Sequence, residues 1–115
     1  MAMDFLECSR TLMSSAIETH RAIEENDSND IAELLMLAGV ARQADSFLKN
    51  NIEPINHKLE AWKLHMQLQE PERFRKIERI IRNAEKNMNI AREKAIHIDY
   101  WIRFDTSVSS LLSEM

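Results

Sequence analysis

The chain has 115 residues, 44% of them hydrophobic and 30% charged, with a formal net charge of −4. One glycine and two prolines are too few for the turns of a sandwich, barrel or doubly wound sheet, and leave no glycine loop to cradle phosphate. The lone Cys8 excludes an internal disulfide and a two-cysteine metal knuckle.

No apolar run reaches the ~20 residues of a membrane span, and the acidic start MAMDFLECSRTLM does not read as a signal peptide. The expectation is one soluble, cytoplasmic, all-α domain covering residues 1–115, with no membrane association and no cofactor.

The first helix is predicted over residues 3–25. At about 100° per residue, Phe5, Leu6, Leu12, Met13, Ala16, Ile17 and Ile23 fall on one arc. The polar stretch ENDSND then breaks the pattern. Asp30 makes a good N-cap, with Glu33 at the spacing of a capping box.

From Ile31 an apolar repeat with alternating steps of three and four begins. It runs through Leu34, Ala38, Ala41, Asp45, Leu48, Ile52, Ile55, Leu59, Trp62 and Met66 to Gln69. Pro54 interrupts the backbone ladder without shifting the phase, which predicts one kinked helix over 30–70. The alternative is a pair of helices meeting between Asn50 and Pro54.

Pro71 suits the first turn of the next helix, expected over 71–104. There Phe74, Ile77, Ile81, Ala84, Met88, Ala91, Ala95, Ile98 and Ile102 repeat the spacing. A tail helix over 107–114 follows, with Val108, Leu111, Leu112 and Met115 on one side.

These elements predict an elongated helical bundle of three to five helices built on a long antiparallel, coiled-coil-like hairpin. The hairpin turns between Glu70 and Pro71, and the first helix folds back on the first half of the second. A symmetric turn places Ile102 opposite Gly39, so the only glycine is expected to admit Trp101 or Ile102 close to the backbone.

Met36, Val40, Ala44 and Phe47 form a second apolar stripe off the heptad face. A helix apolar on two sides needs two sets of partners, and a homodimer is the simplest source of the second set. Asp45 stands alone as a charge in the apolar seam, and His20 sits in the apolar arc of the first helix. Both are candidates for setting register or oligomeric state.

Charge is uneven along the chain. Residues 1–53 carry ten acids and four bases, whereas residues 72–103 carry five acids and nine bases. Mutual neutralisation of the two halves on packing is the simplest reading. Within the second region Arg75, Arg79, Arg82 and Lys86 share one face of a helix, opposite its apolar stripe. Such a row suits an acidic protein or nucleic acid, although Glu78 and Glu85 flank it.

Catalytic signals are weak. No inward-facing Glu-x-x-His pair exists for a metal bundle, with His57, His65 and His97 on outward or flanking positions. His57 beside Lys58 is the one candidate for histidine phosphotransfer, and it lacks small neighbours for partner access. Cys8 and the serines of LMSSA and SSLLSEM lack an activating context. The expectation is a non-enzymatic protein-binding module: an adaptor, a chaperone, or a small inhibitor or regulator of a larger machine. It would act through Met36, Val40 and Phe47, through Trp101, or through the Arg75–Lys86 row. The alternative is a nucleic-acid-associated regulator using that basic row.

Overall fold

The computed structural model describes residues 2–114. They form four helices: α1 Ala2–Glu25, α2 Ile31–Gln69, α3 Pro71–Phe104 and α4 Thr106–Ser113. Together these make a rod of 57 × 22 × 17 Å. Met115, assigned above to the tail stripe, lies outside the described residues.

Two of the helices, α2 and α4, start where the sequence supplies a side-chain cap. The Asp30 carboxylate accepts the Ala32 N–H at 2.9 Å, and the Ser28 hydroxyl accepts the Asp30 N–H at 3.1 Å. This satisfies donors that the first turn of α2 leaves open. Asp105 does the same for α4, accepting the Val108 N–H at 3.2 Å.

Pro54 lies within α2 and does not end it. Its missing N–H costs one ladder bond. One turn earlier, the Asn51 amide donates to the Phe47 carbonyl at 2.7 Å. The unbroken apolar phase keeps both halves of α2 on the same partners, and that packing outweighs a local proline penalty of about 3 kcal/mol.

Glu70 alone joins α2 to α3. Its N–H closes the last turn of α2 on the Met66 carbonyl at 2.9 Å, and its own carbonyl accepts the Phe74 N–H at 2.9 Å. Pro71 occupies the first turn of α3, where its lack of an N–H is harmless. The two long helices therefore run back along each other directly.

α1 departs from expectation. It lies against α3 more extensively than against α2, and it runs parallel to α3: Ser9 meets Asn87, and further along His20 meets His97. It also reaches past the first half of α2, because Phe5 and Leu6 pack with Leu59 and Trp62. Small residues permit the close contact. Ala84 and Ala91 of α3 and Ala16 of α1 are fully buried, so the two backbones approach with little side chain between them. The buried face of α1 includes Ser9 and Thr19 as well as Leu6, Leu12 and Ala16. The Ser9 hydroxyl donates to the Leu6 carbonyl at 2.7 Å and accepts the Asn87 amide at 3.2 Å, which removes the cost of burying it.

Two apolar clusters run along the rod. One gathers Leu12, Ala16, Ala41, Leu48, Ile52, Met88, Ala91 and Ile98, with Trp101 and Ile102 against it. The other, nearer the hairpin turn, gathers Leu6, Leu59, Ile81 and Ala84, flanked by Phe5, Trp62, Phe74 and Ile77. α4 packs on α3 and α2 at the far end and buries Val108.

The expected close approach at Gly39 is corrected. A Cβ built there meets no atom within 4 Å, and Trp101 and Ile102 pack on the Leu48 cluster instead. Helical side chains lean toward their own N-termini. Contacts across the hairpin are therefore displaced from the symmetric count, with Lys63 meeting Glu85 and Lys49 meeting Asp99.

Candidate functional site

The second stripe of α2 stays open. Met36 is 68% exposed, Val40 49% and Phe47 41%, while Ala44 beside them is buried. Their direction follows from the helix: the seam is centred on Ala41, Leu48 and Ile52, and the stripe lies roughly a third of a turn away. Because α1 favours α3, it flanks this edge without covering it. Phe47 shares a shallow groove of about 280 Å³ with Cys8, Thr11, Asn51 and Ile55. Cys8 is exposed there.

Trp101 is placed differently from its three companions. It is half-buried and packs on the Leu48 cluster, so it holds the far end of the bundle together. Beside it lies an apolar stripe that the heptad reading passes over. Ile96, Tyr100 and Phe104 are 63%, 65% and 65% exposed, and the last two rings sit 5.0 Å apart. Their spacing of four residues, off the heptad face, is the sequence signal for them.

The basic row is exposed along its whole length. Arg82 donates to Glu78 of its own helix at 2.7 Å. Glu85, which flanks the row in sequence, turns away and takes Lys63 of α2 at 3.1 Å. Among the described residues Arg75, Arg79 and Lys86 join no ion pair. Mutual neutralisation of the two halves of the chain therefore does not reach this face. It is met at one pair, Arg92–Glu53 at 2.9 Å, on the α2–α3 face away from α1, where Lys63–Glu85 and Lys49–Asp99 at 2.7 Å also cross between the helices with the base on α2.

Asp45 belongs to that same ladder. Lys49 bridges Asp45 at 3.0 Å and Asp99 at 2.7 Å, and Arg103 adds a second bond to Asp99 at 2.9 Å. The hydrogen bonds that Lys49 donates to Asp99 and then to Asp45 hold its ammonium above the ordinary pKa. The Lys49 bond lowers the Asp99 carboxyl, partial burial opposes this, and Arg103 lowers it further. One Asp45 oxygen, Oδ1, is buried without a hydrogen-bond partner among the described residues. Asp45 therefore carries a desolvation cost that a fully paired carboxylate would not. It faces a groove of about 250 Å³ floored by Leu48, Ile52 and Ala95, between the Lys49–Asp99 and Glu53–Arg92 pairs.

The histidines divide into two kinds. His57 is largely exposed, 4.0 Å from Glu53 on its own helix, and His65 is exposed. The His20 side chain is only 13% exposed, and its ring lies 5.1 Å from that of His97 across the α1–α3 contact. Burial holds the His20 imidazole below its ordinary pKa. Glu24 opposes the shift, Lys94 and His97 reinforce it, and Glu93 opposes it weakly. The pairing was not legible in the sequence, because it depends on α1 running parallel to α3. Among the described residues no three His, Cys, Asp or Glu side chains converge to hold a metal ion, and no helix is long and apolar enough to cross a membrane.

No protein family, curated protein or solved structure matches the chain.

Proposed function

We propose that the chain is a non-enzymatic protein-binding module, an adaptor, chaperone or regulator of a larger assembly, and that it works as a homodimer. The observation that carries this reading is the open stripe of Met36, Val40 and Phe47 on α2. Each side chain there leaves apolar surface in water at about 25 cal/mol per Å², in a helix whose other face is sealed. Methionine suits such a surface because its flexible thioether adapts to differently shaped partners. Helix-in-groove recognition uses this spacing of anchors.

Photo-crosslinking tests the reading. A photoreactive residue replaces Met36 or Val40, and irradiation is carried out both on the pure chain and in host lysate. A self-crosslink with a twofold mass in sedimentation supports the dimer, and a discrete second protein supports the adaptor role. Both products should be lost in the Phe47→Glu chain. A monomer that gives neither product overturns the reading.

A further inference from the structure

We propose that the groove between α1 and α3, continued by the arginine row, receives an acidic amphipathic segment of a partner protein, one in which carboxylates and apolar side chains lie on opposite sides. This surface is separate from the α2 stripe and rests on the reading of the chain as a protein-binding module. The groove holds about 510 Å³. Its floor is apolar, with Leu6 buried and Met13 and Ile90 half-buried. Arg10 of α1 and Lys86 of α3 stand over it from the two sides, and among the described residues no carboxylate lines it. Among the described residues neither base joins an ion pair.

Lys86 belongs to both features. It rims the groove and also ends the row of Arg75, Arg79 and Arg82, which extends about 16 Å along α3 at 1.5 Å per residue. Glu85, the acid adjoining Lys86 in sequence, is turned roughly a quarter turn away on α3 and engaged by Lys63 of α2, and Glu78 is engaged by Arg82. Positive charge therefore persists along the whole length of the feature and has no internal answer at its two ends. An anionic partner can gain from Arg10, Lys86, Arg75 and Arg79 while the Arg82–Glu78 pair stays in place.

The floor decides which anion. A carboxylate-bearing helix can set its apolar side chains on Leu6, Met13 and Ile90 while its acids meet Arg10, Lys86 and the row. Nucleic acid would leave that floor unused. Its other common grip, base stacking, needs exposed rings beside the bases. Here Phe5 and Trp62 are half-buried against each other at 5.6 Å, and Tyr100 and Phe104 lie at the opposite end of α3.

The test measures fluorescence anisotropy of the full chain with a labelled synthetic helical peptide, glutamates on one side and leucines on the other, at near-physiological salt. The peptide should bind, and charge reversal in Arg10→Glu with Lys86→Glu should weaken binding by about tenfold or more. Neutral Arg10→Gln with Lys86→Gln should weaken it less. Both bases are exposed, and circular dichroism confirms that each variant keeps its helices. Replacing the leucines with serine at constant charge should cost about fivefold or more. Phe47→Glu should leave this binding unchanged, which separates it from the α2 stripe.

No binding, equal binding by the charge-reversed chain, or equal binding by the serine peptide would each overturn the proposal. An oligonucleotide of matched charge that binds more tightly than the peptide would assign the surface to nucleic acid instead. Salt-sensitive self-association lost in the charge-reversed chain would assign it to a second copy.

Discussion

The two ends of the rod are built on different principles. At the far end α1, α2 and α3 close around Leu48 and Ile98, with fully buried alanines at 16, 38, 41 and 91 and with Val108 of α4 covering the open end. Toward the hairpin turn the packing depends on rings, Phe5 against Trp62 with Phe74 beside them. Past the start of α1 only two helices remain, and Leu64 and Leu68 stand 57% and 70% exposed. Small residues let three helices share one core. Large ones cover two helices only where a third lends its N-terminus. Stability should therefore decline from the capped end toward the turn, within one continuous pair of helices.

The sharpest way to break that comparison uses two leucines of equal burial. Leu48→Ala should cost about 3 kcal/mol or more in denaturant unfolding and speed hydrogen exchange throughout the chain. Leu59→Ala should speed exchange chiefly between residues 56 and 82 and lower the global midpoint less. Equal effects of the two would mean that the rod opens as a single unit.

A smaller change in the opposite direction is expected at the far end. Gly39 sits in mid-helix with no positive φ and open space at its Cβ position. Gly39→Ala should raise stability by about 0.5–1 kcal/mol. A loss would show that something approaches this backbone closely after all.

The smallest effect concerns the α1–α3 contact. Burial lowers the folded-state pKa of His20, so the unfolded chain takes up that proton first as pH falls. The stability contribution is complete above the ordinary histidine value of 6.5 and declines below it. Unfolding midpoints at about pH 7.5 and about pH 5.5 should differ in that direction. The difference should shrink in His20→Gln. A midpoint that rises on acidification would contradict the burial.

Much of the hairpin was legible because the physics is periodic. Ala38, Ala41, Leu48, Ile52, Leu59 and Met66 of α2, and Ile81, Ala84, Met88, Ala91 and Ile98 of α3, are buried as their spacing predicts. Pro71 marks the turn for a local steric reason. Ile31, in the first turn of α2, breaks the rule at 63% exposure. The packing direction of α1 was not legible. Its arc names a face without naming a neighbour, and its buried polar residues, Ser9 and Thr19, read as solvent positions until Asn87 is seen to meet Ser9. For the same reason the sequence shows the Arg75–Lys86 row, which one helix carries by itself, and hides Arg10, which joins it only through tertiary packing. Met36, Val40 and Phe47 were found from the helix period, and Ile96, Tyr100 and Phe104 were overlooked for want of a heptad.

The parallel seating of α1 on α3 also bears on how the protein is made. The ribosome delivers α1 first and α3 late, at roughly 5–20 residues per second. The most extensive contact of α1 is with α3, whose residues are synthesised nearly 80 positions after those they meet, as the Ser9–Asn87 hydrogen bond illustrates. For several seconds the nascent chain carries an amphipathic helix whose main docking site does not yet exist, and α2 offers it only a partial shelter. The single-residue link at Glu70 then lets α3 fold back on α2 as soon as it emerges, and α1 gains its seat along with it.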